Sequence, residues 1–213
     1  QRLILQAHLG DDSESSVGLA RSAVNICESV ATQVALGDTL CRANRVASAI
    51  GPYASTLTKH TDFLPHAATS LETSIKHARC LLWTNRNSTA LEAYVKAANQ
   101  LQAASLWLGA GAAALRLGGA ACADRYLRLS TIRSPYDSRT YALLSLLHVT
   151  TNNNPIEMYV TRALDAAVRL GLDNPGIFRQ LGNAFFQLER YPFAEALLRR
   201  AIAAESKKGA YDH

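Results

Sequence analysis

The sequence predicts an all-α chain of antiparallel helix-turn-helix repeats, and three observations carry that expectation. Of 213 residues, 48% are hydrophobic and 18% charged, with Ala and Leu dominant and only 12 Gly and 6 Pro; such a composition favours helix over sheet. Small and large residues recur at helical spacing: Phe178, Leu181 and Phe185 stand at i, i+3 and i+7 around Gly182, and Ala194, Leu198 and Ala201 at i, i+4 and i+7. Finally, Trp107, Tyr141 and Phe178, which open successive units, are 34 and 37 residues apart, and both intervals become 34 once Asn152-Asn153-Asn154 is set aside as an inserted loop. A few extra residues in a surface connection add only about tenths of a kcal/mol of closure entropy. The length is enough for a well-buried single body.

Taken in order, Gln1 to Gly10 is mostly apolar, and Gly10-Asp11-Asp12-Ser13 makes a break and a cap. Val17, Ala20, Val24, Cys27, Val30, Ala31 and Val34 mark one helical face that is expected to end at Leu36-Gly37, with glycine as C-cap. Asp38 is expected to cap a second helix through Ile50, interrupted at Gly51-Pro52, with a further break at Asp62-Phe63-Leu64-Pro65. From Leu71, Ala78 and Leu81 occupy a first helix, Asn85-Arg86-Asn87-Ser88 the turn, and Ala90, Tyr94 and Ala97 a second helix. Trp107, Gly111, Ala114, Gly118, Ala123, Leu127, Ser130 and Pro135 form the next unit. Tyr141, Leu144, Ser145 and His148, then Val160, Leu164 and Ala167, form the one after. Asn154-Pro155 and Asn174-Pro175 each read as a cap followed by proline at the first helical position, and Pro192 suits the first turn of the last helix.

The pattern of a large residue, then Leu-Gly, an aromatic, and later a small, a large and a small residue resembles the tetratricopeptide repeat. The best matches are residues 104–137, 138–174 and 175–208, with 71–103 weaker because Ser74 stands where an aromatic is favoured. Residues 1–70 fit the template poorly, with Asn44 in place of a small residue and His60 in place of a large apolar one. They are expected to be degenerate repeats or a helical cap, and residues 209–213 a polar tail. The resemblance implies a right-handed α-α superhelix of about four repeats whose concave face binds a protein segment. Ligand-facing positions of the family, carried onto this chain, include Arg79, Trp83, Leu108, Arg116, Arg139, Leu146, Arg179, Asn183 and Phe186. That groove is apolar, with an arginine in every repeat and no acid except Glu72. It suits an extended peptide or partner helix with apolar anchors and some negative charge. Arg179 and Asn183 match one pair of the family's carboxylate clamp. Ile75, Leu108 and Ala142 stand at the companion positions, so a clamp is not expected.

The remaining signals exclude more than they assign. The net charge of +5 is spread along the chain rather than gathered in a run, which is weak support for nucleic acid. Cys27, Cys41, Cys80 and Cys122 are far apart and form no Cys-x-x-Cys, so they read as buried thiols of an intracellular protein, cytoplasmic or processed into an organelle. No apolar run is long enough to span a membrane. Gln1 comes first and Met158 is the only methionine, as expected of a trimmed, processed or partial chain. His60 and His66 around Asp62 read as a solvated helix boundary rather than a metal site, and His77 and His148 as packing or groove histidines. Gly109-Ala110-Gly111 and Gly118-Gly119 read as packing and turn positions rather than a phosphate loop. Asn87-Ser88-Thr89 is a formal glycosylation sequon in an inter-helix turn. No catalytic, metal or cofactor residues and no small-molecule substrate are expected. The favoured reading is a non-enzymatic scaffold for protein partners within a larger assembly. The alternatives are an RNA-binding helical-hairpin array, disfavoured by apolar residues at the groove positions, and a regulatory or sensor fragment of a multidomain protein.

Overall fold

Residues 13–59, 67–151, 157–170 and 172–209 are described by a computed structural model. Among them every regular element is a helix: α1 Ser13–Ile26, α2 Val30–Arg42, α3 Val46–Lys59, α4 Ala67–Trp83, α5 Asn87–Leu101, α6 Ala104–Arg116, α7 Ala120–Arg133, α8 Ser138–Thr151, α9 Glu157–Arg169, α10 Pro175–Gln187 and α11 Tyr191–Gly209. The expected break at Gly10–Asp12, the His60–His66 segment, the Asn152–Asn154 insertion with its Asn154-Pro155 cap, and the tail from Ala210 lie outside the described residues. No described helix is long and apolar enough to cross a membrane.

Local chemistry sets the helix ends, and near the N-terminus it corrects the expected boundaries. Ser29 Oγ accepts the Thr32 N–H at 3.3 Å while Thr32 Oγ1 accepts the Ser29 N–H at 2.9 Å. This reciprocal capping box starts a new helix, so the face from Val17 to Val34 belongs to two helices and not one. Gly37 and Asp38 therefore lie inside α2 rather than ending one helix and capping the next. Gly51-Pro52 does not interrupt α3, which runs on to Lys59. A Cβ before proline disfavours helical backbone through its clash with the ring, and Gly51 has none. Nor are all the thiols buried: Cys27 and Cys122 are exposed, Cys41 is half-buried and Cys80 is buried, all four free. Cys27 lies just past the end of α1, and Cys122 lies off the buried Ala123-Leu127-Ser130 stripe of α7.

The turns repeat one construction. Asn44, Asn85, Gly118 and Glu189 have φ of 57°, 60°, 73° and 60°. The next residue in each turn returns its N–H to a carbonyl five residues back: Arg45 to Leu40, Arg86 to Leu81, Gly119 to Ala114 and Arg190 to Phe185, at 2.8–3.0 Å. This is the Schellman closure, which satisfies carbonyls that a helix end leaves open. Asn44 thus marks a turn in register with the others, which explains its mismatch to a small-residue position. Asn and Gly occupy the left-handed region at little cost, whereas Glu189 is strained there. Glu189→Gly is expected to stabilise the chain by about 0.5–1 kcal/mol, seen as a higher urea midpoint, since the Glu189 side chain is exposed.

Packing between paired helices follows one spacing as well. A Cβ at Gly37 would lie 2.5 Å from the Tyr53 ring, and one at Gly182 would lie 2.8 Å from Leu198 Cγ. In each case glycine lets the helix of residue i press on a large side chain sixteen residues later. At the corresponding place on α8, buried Ser145 keeps the position small, and its hydroxyl donates to the Val160 carbonyl at 3.2 Å. Gly109 packs on the Tyr94 ring, as expected of a packing glycine. Asn174 Oδ1 accepts the Ile177 N–H at 3.2 Å, with Pro175 opening α10.

The chain divides into two compact units, residues 1–113 and 114–213, in place of the expected single body. Repeats that bury their apolar faces chiefly against immediate neighbours do not require one shared core. The first unit gathers Val17, Ala20, Leu36, Leu40, Ala49, Tyr53 and Cys80. The second gathers Ala142, Val149, Val160, Ala167, Phe178, Leu181, Phe185, Ala194 and Leu197 among others.

Candidate functional site

In the first unit, α2, α3 and α4 enclose a cleft of about 490 Å³ lined by Asp38, Cys41, Arg42, Tyr53, Lys76, Arg79, Cys80 and Trp83. Its floor follows from the Gly37–Tyr53 packing. With the ring pressed against α2, the Tyr53 hydroxyl donates to Asp38 Oδ1 at 2.6 Å. Lys76, on α4, holds the same carboxylate at 2.9 Å and Glu72, one turn earlier, at 2.9 Å. Cys41 Sγ lies 3.6 Å from Cys80 Sγ and 3.9 Å from Tyr53 Oη.

Burial and this network set the protonation states. Burial, reinforced by the bond to Asp38, keeps the Tyr53 hydroxyl protonated. Burial pushes the Cys80 thiol up to about 12, with the hydrogen bond to Cys41 acting the same way. Burial alone would depress Lys76, but hydrogen bonds to Asp38 and Glu72 outweigh it and raise the ammonium above its ordinary value. His77, also on α4, is pushed down by burial. Lys76 is thus committed to carboxylates, while Arg79 forms no ion pair among the described residues and is exposed. Trp83, one turn further along α4, is 66% exposed. An arginine and an indole at the mouth of a cleft can hold a carboxylate beside an apolar or planar group. Among the described residues no group of three His, Cys, Asp or Glu side chains could hold a metal ion.

The other residues expected to face a partner fall in different settings. Leu108 is 9% exposed and is a packing residue; so is Ala142, buried in the second unit's core. Leu146 is half-buried and packs on that core. Arg116 is exposed in the last turn of α6. Arg139 does not point freely outward: its guanidinium binds Asp137 through Nε at 3.0 Å and Nη2 at 2.8 Å, and its backbone N–H also donates to that carboxylate. Arg179 pairs with Glu205 at 3.1 Å. Asn183 and Phe186 are exposed on α10, with Phe186 edge-on to Tyr191 at 5.5 Å. The acids that answer Arg139 and Arg179 lie outside the family's groove positions, so the spacing argument did not find them.

The Asp137 contact has a defined pH dependence. The hydrogen bond from Arg139, against the opposing effect of burial, holds the Asp137 carboxyl below the usual carboxylate range. Its stabilisation is therefore present above the unfolded value near ~4 and is lost as the pH falls through the lower folded value. Because Arg139 is largely exposed, the contribution is about 0.5–1 kcal/mol. In Arg139→Ala the NMR titration of Asp137 is expected to move upward, and the acid-side loss of stability to shrink by that amount.

Six lining residues were not singled out from the sequence as site residues: Asp38, Cys41, Arg42, Tyr53, Lys76 and Cys80. The signal was Gly37 with Tyr53 sixteen residues on, the spacing of Gly182 and Leu198. It sets a repeat register from Val30, in which Asp38, Cys41 and Arg42 correspond to Arg79, Leu82 and Trp83, each pair 41 residues apart.

A family model for the cilia and flagella-associated protein 70 C-terminal domain matches residues 6–211. Among solved structures, a tetratricopeptide repeat protein from Parabacteroides merdae is similar at a TM-score of 0.75 and 14% identity, over 95% of this chain and 78% of its own. TTC0263, a thermophilic TPR protein of Thermus thermophilus, is similar at 0.67 and 17% identity, over 84% and 93%. A chain of the APC/C hetero-tetramer Cut9-Hcn1 is similar at 0.70 and 18% identity over 95% of this chain, which spans only 39% of that one. No curated protein matches in sequence. At these identities the likeness is one of fold: antiparallel helix pairs of the tetratricopeptide solenoid, as the resemblance implied.

Proposed function

The chain belongs to the family of the cilia and flagella-associated protein 70 C-terminal domain, and from that premise we propose that it is a non-enzymatic scaffold that holds a segment of a partner protein. The fold supports a protein-interaction role, and the family's name supports an assembly of a cilium or flagellum as its setting. The contact is assigned to the cleft between α2, α3 and α4. The observation that carries this reading is the pairing of Arg79, without a carboxylate partner among the described residues, with the exposed Trp83 at the mouth of that cleft. The ligand it fits is an extended peptide with an acidic side chain or terminal carboxylate next to an apolar or aromatic anchor. Arginine and tryptophan are the residue types that most often dominate such contacts. Within the second unit, Arg139 and Arg179 already have acids, so they contribute less.

The test is selection of random displayed peptides against the purified chain, followed by Kd measurements by fluorescence anisotropy. Enriched peptides are expected to carry an acid beside an apolar residue, and Arg79→Glu and Trp83→Ala each to weaken binding by about tenfold or more. Arg179→Glu should leave it nearly unchanged. Equal affinity in all three variants would move the interface away from this cleft. Capture of RNA with steep salt dependence, in place of peptide, would overturn the reading.

A further inference from the structure

We propose that Cys41 and Cys80 form an oxidation site, in which hydrogen peroxide or a related two-electron oxidant joins them in a disulfide tying α2 to α4 across the floor of the cleft. The two sulfurs are 3.6 Å apart although the residues are 39 apart in sequence, and both are free. A disulfide needs about 2.05 Å between sulfurs, so the gap to close is roughly 1.5 Å. The two thiols differ in access. Cys41 is half-buried and lines the open cleft, whereas Cys80 is 3% exposed.

That difference orders the chemistry. The Cys41 sulfur attacks one peroxide oxygen, the O–O bond breaks, and the products are a sulfenic acid and water. The Cys80 sulfur then attacks the Cys41 sulfur and expels its hydroxyl, which leaves as a second water with the Cys80 proton. Two thiols and one peroxide give one disulfide and two waters. Burial keeps Cys80 protonated and poorly reactive toward solvent oxidants, so it acts as the resolving partner. Cys27 and Cys122 are exposed, but nothing beside them supplies a second sulfur among the described residues. Disulfide formation between Cys41 and Cys80 does not depend on what the cleft binds.

The purified chain is treated with graded hydrogen peroxide, capped with N-ethylmaleimide and digested without reductant. The expected result is a Cys41–Cys80 linked peptide, free thiols falling from four to two, and a melting temperature about 10 °C higher that dithiothreitol reverses. The Cys27→Ser/Cys122→Ser double variant should form the same link, with its two thiols falling to none, which excludes links through the exposed cysteines. Cys41→Ala should leave Cys80 unmodified. Thiols of the double variant that stay free at peroxide levels oxidising Cys27 and Cys122 in the parent would overturn the proposal. So would Cys41 passing to sulfinic acid with no link formed.

Discussion

Gly37→Val is expected to destabilise the first unit by about 3 kcal/mol, read as a lower urea midpoint and as faster hydrogen exchange in α2 and α3. Any Cβ at this position would meet Tyr53 Cε1 at 2.5 Å, Cζ at 2.6 Å and Cδ1 at 3.0 Å. The ring is rigid, 1% exposed and anchored through its hydroxyl to Asp38, so it has no room to retreat. The helix propensity gained by replacing glycine offsets only about 0.5 kcal/mol of this. Relief requires α2 and α3 to separate, and separation also takes Asp38 out of reach of Tyr53 and reshapes the cleft. The peptide binding proposed for the cleft should therefore weaken together with stability. The companion Tyr53→Ala in the Gly37→Val background should recover part of the loss, because the two substitutions share one contact. Strictly additive losses would show that the steric account is wrong.

In the second unit the largest effect is expected from Phe185→Ala, at about 4 kcal/mol. Phe185 is 2% exposed, stands among Phe178, Leu181, Ala194 and Leu197, and stacks on Phe193 with ring centroids 5.5 Å apart. Truncation removes the buried ring and leaves a cavity that helices on both sides would have to collapse to fill. The next residue gives the control. Phe186 is 59% exposed and touches Tyr191 edge-on, so Phe186→Ala should cost no more than about 0.5 kcal/mol. Hydrogen–deuterium exchange resolves the two, with protection lost across residues 175–209 for Phe185→Ala and retained for Phe186→Ala. Equal effects would mean that the α10–α11 pair is not packed on Phe185.

The contrast between neighbouring phenylalanines also shows what a single sequence reveals. Helical spacing around Gly182 placed Phe178, Leu181 and Phe185 on one face, and all three are buried. The Asn174-Pro175 cap and the turn near Asn85 were legible for the same reason, since each depends on residues within one helical turn. The N-terminal helices were not legible in the same way. A capping box at Ser29 competes with an apolar stripe that runs straight through it, and only the hydrogen bonds decide which wins. Pro52 looked like a break because proline usually is one, and the helix continues past it behind Gly51. Placing Asn44 against the repeat template hid a turn whose backbone matches those at Asn85, Gly118 and Glu189.

The sequence by itself determined the helical class, the pairing of helices and most of the repeat register, because capping, turn chemistry and apolar periodicity act over a few residues. Only the tertiary structure decided which charges remain available. Arg79 and Arg179 both fall on groove positions by spacing, yet Arg179 meets Glu205 from α11 whereas Arg79 faces the cleft beside Trp83. It also decided that Asp38, Tyr53 and Lys76 form one network and that Cys41 and Cys80 come within 3.6 Å of each other. Those groups come from three helices, and the contact between them is fixed by how closely the helices approach, which depends on the absence of a side chain at Gly37.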